Sequence, residues 1–442
     1  MNLAEALRVT RESRISIVGA GGKSTALFLL GEQIQPPVIL TSSTHFSLEQ
    51  VESCRHHVVF PKDNLDQTLD ELISATHPTL ITSGVTIADK VTGLNFPELT
   101  ELMNYSKKRS IPMVIEADGS RKKPLKAPGT HEPAIPEWST DVVVVVGLSA
   151  IGQPCNESVV HRPEIFRIIT GLFEGEIICP EHIAKSLIHP EGGLKNIPVG
   201  ARKIALINQC DDIVRQTNAG CVYKKIREVF DVVLTTSLIN TNKPIIARME
   251  PTACIILAAG DSTRFGSPKA LAVFDGETFI HRAIKAAQLV GAEKIIVISG
   301  EHDEKIREDV SQFDIEVARN PLWRDGQGTS VACGIKALRK YYGSVIFMLV
   351  DQPHLPPLLL SSLIEKKAAS DSQIAMPDFQ ERRGNPVLFD RSLFPELSVL
   401  SGEEGGRAII NKHRRITISW LTDAPITDID TTDDLANLLE RN

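Results

Sequence analysis

Short apolar runs rich in β-branched residues recur along this chain, and each precedes a stretch with helical spacing or a turn containing glycine or proline. Seven such runs come before residue 236, at 15–18, 38–41, 80–82, 113–115, 142–146, 203–207 and 232–235. Runs that are apolar at every position are typical of strands buried on both faces. The alternation therefore predicts a parallel sheet covered by helices.

The alternation stops at residues 237–252, SLINTNKPIIARMEPT, which are polar, turn-rich and contain two prolines. It then restarts, with strands predicted at 254–258, 294–298, 345–350, 373–376 and 386–389, and helices at 278–290 and 356–370. We interpret 237–252 as a linker. The sequence thus predicts an α/β protein of two domains, residues 1–247 and 248–442, each opening with a strand that leads into a glycine loop.

Composition narrows the class of protein. The chain has 442 residues, a formal net charge of −7 and only 5% aromatic residues. An acidic chain with few aromatic residues is not expected to bind nucleic acid, and no apolar run approaches the roughly 20 residues of a membrane span. Its seven cysteines form no CxxC pair, which favours a reducing cytoplasm without disulfides or a zinc site. We expect a soluble cytoplasmic enzyme acting on small molecules.

The first glycine loop, GAGGKST at residues 19–25, joins the strand at 15–18 to an apolar helical stretch. Glycines let backbone N–H groups converge on a phosphate, and the lysine and serine can meet the β- and γ-phosphates and a magnesium ion. Ile17 occupies a position where the full Walker pattern has glycine, so the loop is a shortened form resembling that of ATP-dependent amide ligases of cell-wall synthesis. We predict a P-loop-like nucleotide site formed by Gly19, Gly21, Gly22, Lys23, Ser24 and Thr25.

Two further segments are candidates for the same site. The strand at 113–115 runs into Glu116 and Asp118, and either carboxylate could hold magnesium with Ser24. Residues 208–211, NQCD, follow another strand with the spacing of the guanine-reading NKxD motif of GTPases, but lack its lysine. The sequence therefore leaves open whether this domain binds ATP or GTP.

A family resemblance covers most of residues 10–236. Its motifs are GAGGKST, TSSTHF at 41–46, VIEADGSRKKPLKAP at 114–128, and VVVVVGLSAIGQP with the later HRP at 161–163. In these motifs the domain resembles the YqeC family. The resemblance implies an accessory role for selenium-dependent molybdenum hydroxylases, and an apo molybdenum hydroxylase as a possible partner.

The second glycine loop, LAAGDSTRFGSPK at residues 257–269, also follows a strand. Small residues at 258–260 allow the backbone to approach a nucleotide, while Arg264 and Lys269 supply two cations for a triphosphate. Farther along, Asp351 follows the buried strand at 345–350, at the edge of the sheet where ligands of open α/β sheets gather. We predict a nucleotide site that includes Leu257, Ala258, Ala259, Gly260, Arg264 and Lys269, with the turn Gly326, Gly328 and Ser330 offering backbone N–H groups.

This loop resembles the signature of Rossmann-like nucleotidyltransferases, which move a nucleoside monophosphate from an NTP to a phosphorylated acceptor. The resemblance implies that Asp351 binds magnesium or manganese and that Asp430, in DIDTTDDL at 428–435, completes the metal site. Together with Ser24, Glu116 and Asp118 of the first domain, these are the candidate metal ligands. Arg264, Lys269 and Asp351 are the candidate catalytic residues, because displacement at the α-phosphorus needs positioning and charge neutralisation rather than a protein nucleophile.

Several further motifs are similar to those of MocA-type molybdenum cofactor cytidylyltransferases: NPLWRDGQGTS at 320–330, DQP at 351–353, RGNPV at 383–387 and GEEGGR at 402–407. Guanylyl-transferring relatives carry a second glycine where this chain has Ala259, so the resemblance implies CTP as the donor. It also implies a molybdopterin-type acceptor. A glycine-proline loop can lie flat against such a ring, which makes Gly384, Asn385 and Pro386 the candidate acceptor-binding residues.

The sequence thus favours a molybdenum cofactor cytidylyltransferase fused to a nucleotide-binding accessory domain. One alternative is cytidylyl transfer to a sugar phosphate or an isoprenoid-precursor phosphate. Another is a cofactor-binding delivery protein in which the first domain acts as a nucleotide switch.

Overall fold

A computed structural model describes residues 1–87, 89–339, 341–403 and 405–441. The chain divides into two compact units, Met1–Arg248 and Met249–Asn442. No helix among the described residues is both long and apolar enough to cross a membrane.

The first unit is built on a nine-stranded sheet in the order β14-β13-β12-β10-β1-β8-β2-β5-β4. The strands of the first unit, nine of which form this sheet, are β1 (Arg14–Gly19), β2 (Ile39–Ser42), β3 (His45–Ser47), β4 (His57–Val59), β5 (Thr79–Thr82), β6 (Thr86–Ile87), β7 (Lys90–Thr92), β8 (Met113–Glu116), β9 (Leu125–Lys126), β10 (Asp141–Gly147), β11 (Val160–His161), β12 (Arg202–Asn208), β13 (Val232–Thr236) and β14 (Ile245–Met249). Its helices are α1 (Leu3–Leu7), α2 (Lys23–Gln33), α3 (Leu48–Glu52), α4 (Leu65–Leu72), α5 (Phe96–Lys108), α6 (Pro163–Thr170), α7 (Pro180–Ile188) and α8 (Ile213–Ile226).

The pairings from β13 through β4 are parallel, as the apolar runs predict. The central strand β1 lies between β8 and β10 and is buried along almost its whole length. Its carboxyl end, at Gly19, therefore opens at the same edge of the sheet as the ends of β8, β12 and β13. This edge carries the first glycine loop.

The predicted linker at 237–252 is wrong in its second half. Residues Ile245–Met249 form β14, which extends the first sheet beside β13. The prolines at 244 and 251 bracket this strand instead of excluding it, and Ile245 and Arg248 are buried. Proline is tolerated just outside a strand, so the turn-rich composition concealed an edge strand.

The second unit has an eight-stranded sheet in the order β19-β18-β15-β20-β23-β21-β22, with β24 paired to β21. The strands of the second unit, eight of which form this sheet, are β15 (Thr252–Ala258), β16 (Val273–Phe274), β17 (Glu277–Thr278), β18 (Lys294–Ser299), β19 (Glu316–Arg319), β20 (Ser344–Leu349), β21 (Ile374–Phe379), β22 (Arg382–Arg383), β23 (Val387–Asp390) and β24 (Arg415–Ser419). Its helices are α9 (Phe279–Leu289), α10 (Asp303–Asp309), α11 (Gln327–Ala337), α12 (Pro357–Ala368), α13 (Phe394–Leu397), α14 (Arg407–Ile410) and α15 (Thr432–Arg441).

This second sheet is mixed. β15 pairs in parallel with β18 and β20, but β23 runs antiparallel between β20 and β21. Alternate residues of β15 enter two different cores: Cys254 and Ile256 pack on one face, while Ile255 and Leu257 pack on the other. Helices thus cover both faces, and the α/β class predicted for this domain is confirmed.

Candidate functional site

The first glycine loop is fixed by close backbone approaches. Gly19, Gly21 and Gly22 all have positive φ, and a Cβ at Gly19 would lie 2.2 Å from the carbonyl oxygen of Val145. A Cβ at Gly21 would lie 2.5 Å from the amide nitrogen of Gly147. The loop therefore needs glycine for space as well as for conformation. It leads directly into α2, which begins at Lys23.

Lys23 is almost completely buried and lies between two carboxylates. Its Nζ donates to the carbonyl oxygen of Gly19 at 2.9 Å and lies 3.4 Å from Oδ1 of Asp118 and 3.7 Å from Oε1 of Glu116. Burial raises the pKa of Glu116, against the opposing effect of the Lys23 charge. The ammonium group is thus held at the loop by charge pairing.

Glu116 and Asp118, either of which the sequence allows as the magnesium ligand beside Ser24, have different hydrogen-bond partners. Ser24 donates a hydrogen bond through Oγ to Oε2 of Glu116 at 2.8 Å. Asp118 instead accepts from the amide of Gly19 at 3.0 Å and pairs with Lys126 at 2.8 Å. The serine and carboxylate that could share a magnesium ion are therefore Ser24 and Glu116, and Asp118 supports the loop from behind.

A cleft of about 1280 Å³ opens in front of this loop. Of the predicted residues, Gly21, Gly22, Lys23, Ser24, Thr25 and Glu116 line it. Its outer wall includes the consecutive cations Arg121, Lys122 and Lys123. Lys126 belongs to the same basic stretch but is turned inward, where it pairs with Glu132 at 2.7 Å as well as with Asp118. Only the first three basic residues thus face the cleft.

In the second unit, a cleft of about 620 Å³ lies over the carboxyl ends of β15 and β20. Of the predicted residues, ten line it: Leu257, Ala258, Ala259, Gly260, Arg264, Lys269, Gly326, Ser330, Asp351 and Asp430. Gly328 lies behind this surface, where its amide donates to the carbonyl oxygen of Gly402 at 2.8 Å. Glu404 of the GEEGGR motif lies outside the described residues.

Lys269 joins the two acidic motifs of this cleft. Its Nζ donates to Oδ1 of Asp430 at 2.7 Å and to Oδ2 of Asp351 at 3.2 Å, while Arg264 pairs with the other oxygen of Asp430 at 3.1 Å. Burial opposes the charge on Lys269, but the two carboxylates outweigh it and raise the pKa of this lysine. The hydrogen bond from Lys269 lowers the pKa of Asp430, whereas burial raises that of Asp351.

The donor set fits a divalent cation. Oδ1 of Asp351 is buried and has no hydrogen-bond partner among the described residues. No group of three or more His, Cys, Asp or Glu side chains in the described part of the chain forms a metal cage. Magnesium commonly binds through one or two carboxylates together with substrate phosphates. Asp351 and Asp430 supply such a pair.

The turn at 326–330 begins helix α11. Gly326 has a φ of +102°, and a Cβ there would lie 2.4 Å from the carbonyl carbon of Gly402. Asn320 donates to Oγ of Ser330 at 3.0 Å and to Oγ1 of Thr329 at 2.8 Å, which fixes the first turn of the helix. Gly326 and Ser330 line the cleft at the amino end of this helix, whereas the amides of Gly328 and Thr329 donate to the carbonyl oxygens of Gly402 and Gly326 and are not available to an anion.

The predicted acceptor residues lie elsewhere. Gly384 and Pro386 are buried, and the backbone N–H of Asn385 donates to the carbonyl oxygen of Pro425 at 2.8 Å. A Cβ at Gly384 would lie 2.4 Å from the same oxygen. The loop packs against the segment around Pro425, and none of its three residues is among those lining the cleft.

Trp323 and His302 are among the residues of the second cleft that sequence reasoning did not single out. Trp323 and His302 both line it, and the guanidinium of Arg324 lies 4.7 Å above the Trp323 ring. Gly300 approaches Trp323 so closely that a Cβ would lie 2.9 Å from Cγ of the indole. Trp323 falls within the NPLWRDG segment. The chain has only three tryptophans, and this scarcity is the sequence signal that could have identified Trp323 as a site residue.

Comparison with known proteins assigns both units. The model of the YqeC protein family matches residues 15–164, and that of the MobA-like NTP transferase domain matches 254–416. The chain is 34% identical to YqeC of Escherichia coli (strain K12) over 217 residues, covering 47% of this chain and 81% of that protein. It is 26% identical to nicotine blue oxidoreductase of Paenarthrobacter nicotinovorans over 200 residues, covering 42% of this chain and 95% of that protein.

Among solved structures, Rv0371c from Mycobacterium tuberculosis H37Rv aligns with a TM-score of 0.38 and 26% identity, over 43% of this chain and 98% of that one. The domain matches define a nucleotidyltransferase that carries a second α/β domain. The chain belongs to the YqeC family, and joins a YqeC domain to a MobA-like NTP transferase domain.

Proposed function

We propose that this nucleotidyltransferase is a molybdenum cofactor cytidylyltransferase, which transfers CMP from CTP to the phosphate of the molybdenum-bearing pterin and releases pyrophosphate. The observation that carries the proposal is the contact of Lys269 with both Asp351 and Asp430 beneath the LAAG loop. One cation and two carboxylates meet where a triphosphate would enter. Ala259 is on the lining of the cleft, at a position where guanylyl-transferring relatives carry glycine, and this supports CTP over GTP.

In this reaction the acceptor phosphate oxygen attacks the α-phosphorus of CTP, and the bond from that phosphorus to the departing pyrophosphate breaks in line. Arg264 and Lys269 bind the triphosphate and neutralise charge that develops on the pyrophosphate. Asp351 and Asp430 would hold the magnesium ion, which would supply further charge neutralisation when bound. The amino end of α11, where Gly326 and Ser330 line the cleft, contacts the nucleotide.

The first unit binds a nucleoside triphosphate at its own cleft in this proposal. Lys23 and the loop amides contact the β- and γ-phosphates, and Ser24 with Glu116 holds magnesium. The hydrogen bond between Ser24 and Glu116 supports this assignment, because it brings a hydroxyl and a carboxylate together beside the lysine. An accessory role in maturation of a molybdenum hydroxylase follows from the YqeC resemblance.

Product analysis tests the proposal. The full chain is incubated with CTP, GTP or ATP and molybdopterin-bearing material, and the products are identified by mass spectrometry. The wild type is expected to form a cytosine dinucleotide of the pterin together with pyrophosphate, and the Lys269→Ala control is expected to form neither. Absence of the dinucleotide from the wild-type reaction contradicts the proposal. Parallel reactions with a sugar phosphate and an isoprenoid-precursor phosphate test the other acceptor classes.

A delivery function requires a separate measurement. If the first unit switches cofactor transfer, an apo molybdenum hydroxylase should be captured by the full chain to an extent that changes with added nucleotide. Capture that is the same with and without nucleotide argues against such a switch and leaves catalysis at the second cleft unaffected.

A further inference from the structure

We infer that the cleft of the first unit selects guanine nucleotides, and that Asp211 reads the base. The inference rests on the proposed binding of a nucleotide at Lys23. It is carried by the contacts of Asn208, Asp211 and Ser237, which join the glycine loop to the far side of the same cleft.

Asn208 ties the phosphate loop to the end of β13. Its Nδ2 donates to the carbonyl oxygen of Gly21 at 2.7 Å, and its Oδ1 accepts from Oγ1 of Thr236 at 3.1 Å and from the amide of Leu238 at 3.0 Å. Asn208 is buried, and a Cβ on Gly22 would lie 2.4 Å from its Nδ2. A buried side chain with all these hydrogen bonds satisfied is a rigid connection. The glycine loop and residues 236–238 are therefore fixed in position relative to each other.

Asp211 lies at the other end of this connection and lines the cleft. Its Oδ1 accepts from Oγ of Ser237 at 2.6 Å, and its Oδ2 pairs with Nη1 of Arg215 at 3.2 Å. The side chain is 40% exposed. A carboxylate offers about four lone-pair sites, so Asp211 is oriented by two partners and still has acceptor capacity toward a ligand.

The strand order gives a suitable spacing. β12, which precedes Asp211, is two strands from β1 in the sheet, with β10 between them. Neighbouring strands lie about 4.8 Å apart, so β1 and β12 are separated by roughly 10 Å across the sheet, and Asp211 lies three residues beyond the end of β12. A ribose linking a phosphate chain to a base can cover this separation. Leu238 and Ile239 line the cleft beside Asp211 and offer an apolar surface to the face of the base.

A carboxylate at this place distinguishes the purines. Guanine presents two adjacent donors, N1–H and the exocyclic amino group, and both oxygens of a carboxylate can accept from them. Adenine presents a lone pair at N1 and a C–H group along the corresponding edge. Placing that lone pair against Asp211 leaves a charged acceptor unpaired, which is costly. Gln209 replaces the lysine of the GTPase motif, and its Oε1 accepts from the amide and hydroxyl of Ser149.

A substitution of Asp211 that should change the preferred base from guanine to xanthine tests the inference on the full chain. Xanthine has a carbonyl where guanine has its amino group, and the amide of asparagine can donate to that carbonyl. In Asp211→Asn we expect GTP binding to weaken by about tenfold or more, and XTP binding to strengthen. The neighbouring variant Asp212→Asn is the matched control, because asparagine keeps the helix cap that Asp212 forms with the backbone amide of Arg215.

Binding is measured by equilibrium titration with GTP, ATP and XTP, and Lys23→Ala identifies which part belongs to this cleft. We expect the binding that Lys23→Ala removes to favour GTP over ATP. We expect the preference to change from GTP to XTP in Asp211→Asn and not in Asp212→Asn. Equal binding of GTP and ATP there, or unchanged GTP binding in Asp211→Asn, overturns the guanine inference only. If Lys23→Ala removes no binding at all, the proposed nucleotide site of the first unit fails as well.

Discussion

Lys269 and Asp430 are separated by 161 positions in the sequence, yet Nζ of the lysine donates to Oδ1 of the aspartate at 2.7 Å. The closing acidic motif DIDTTDDL is thereby brought to the glycine loop that opens the second unit. Asp351 enters the same contact from the end of β20. The cleft of the nucleotidyltransferase domain is thus assembled from the beginning, middle and end of that domain.

Replacement of Asp351 should remove nucleotidyl transfer. In Asp351→Asn, the carboxylate that we propose as a metal ligand becomes a neutral amide. The rate should fall about 100-fold or more, since charge neutralisation by a bound metal contributes several kcal/mol to transition-state stability. The rate of pyrophosphate release measures the effect. Asp433→Asn, in the first turn of α15, is the control and should retain activity. Normal turnover in Asp351→Asn would exclude this residue from the site.

Selection between CTP and GTP should depend on Ala259. Ala259 lines the cleft and also belongs to the adjoining hydrophobic core, and Ala259→Gly removes its methyl group. We expect kcat/KM for GTP relative to CTP to rise, by about tenfold, because a single carbon in a pocket has an effect of this order. Competition kinetics with both nucleotides provide the ratio. An unchanged ratio would place base selection at another part of the cleft, with the 326–330 turn as the next candidate.

The two clefts should bind nucleotide independently. Each has its own glycine loop, its own lysine and its own carboxylate at a strand end, so equilibrium titration of the full chain should find two sites. Lys23→Ala should remove one of them and leave cytidylyl transfer intact, whereas Lys269→Ala should do the reverse.

Lys23→Ala also leaves Glu116 without its buried cation, although Asp118 keeps Lys126, and this change could unfold the loop. Ser24→Ala preserves the ion pairs and should weaken magnesium-dependent binding in the first unit alone. A single shared site, or loss of transfer in both Lys23→Ala and Ser24→Ala, would contradict the two-site prediction.

The stability of the first unit should depend on pH through Glu132. Burial opposes its charge, but hydrogen bonds from Arg162 and Lys126 prevail and lower the pKa of Glu132 from 4.5 to about 2. A lowered carboxyl pKa stabilises the fold above the unfolded value and loses this contribution as pH falls toward the folded value. The destabilisation caused by Glu132→Gln should therefore be full above about pH 5 and disappear between about pH 4.5 and 2.

Denaturant unfolding of the wild type, Glu132→Gln and the exposed Glu137→Gln at a series of pH values measures this difference. Glu137→Gln should alter stability little at any pH. A destabilisation in Glu132→Gln that is constant from pH 7 to 3 would show that packing, rather than the charge of Glu132, is responsible.

The strands that carry both loops were predictable from local sequence. Each apolar run overlaps a strand, because strands buried on both faces require apolar side chains at consecutive positions. The predicted membership of the YqeC family and the nucleotidyltransferase assignment are also confirmed. Strands such as β24, where exposed and half-buried residues alternate, and the edge strand β14 gave no such signal.

By itself, the sequence determined the two glycine loops, their cations and the acidic strand ends, because these depend on residues adjacent in the chain. Only the tertiary structure decided that Ser24 bonds to Glu116 and that Asp118 supports Gly19 from behind. It also decided that Ser237 orients Asp211 and that Gly384 packs on Pro425 rather than in the cleft. The physical reason is that the order and register of distant strands set these contacts, and local patterns of apolar residues do not encode which strands become neighbours.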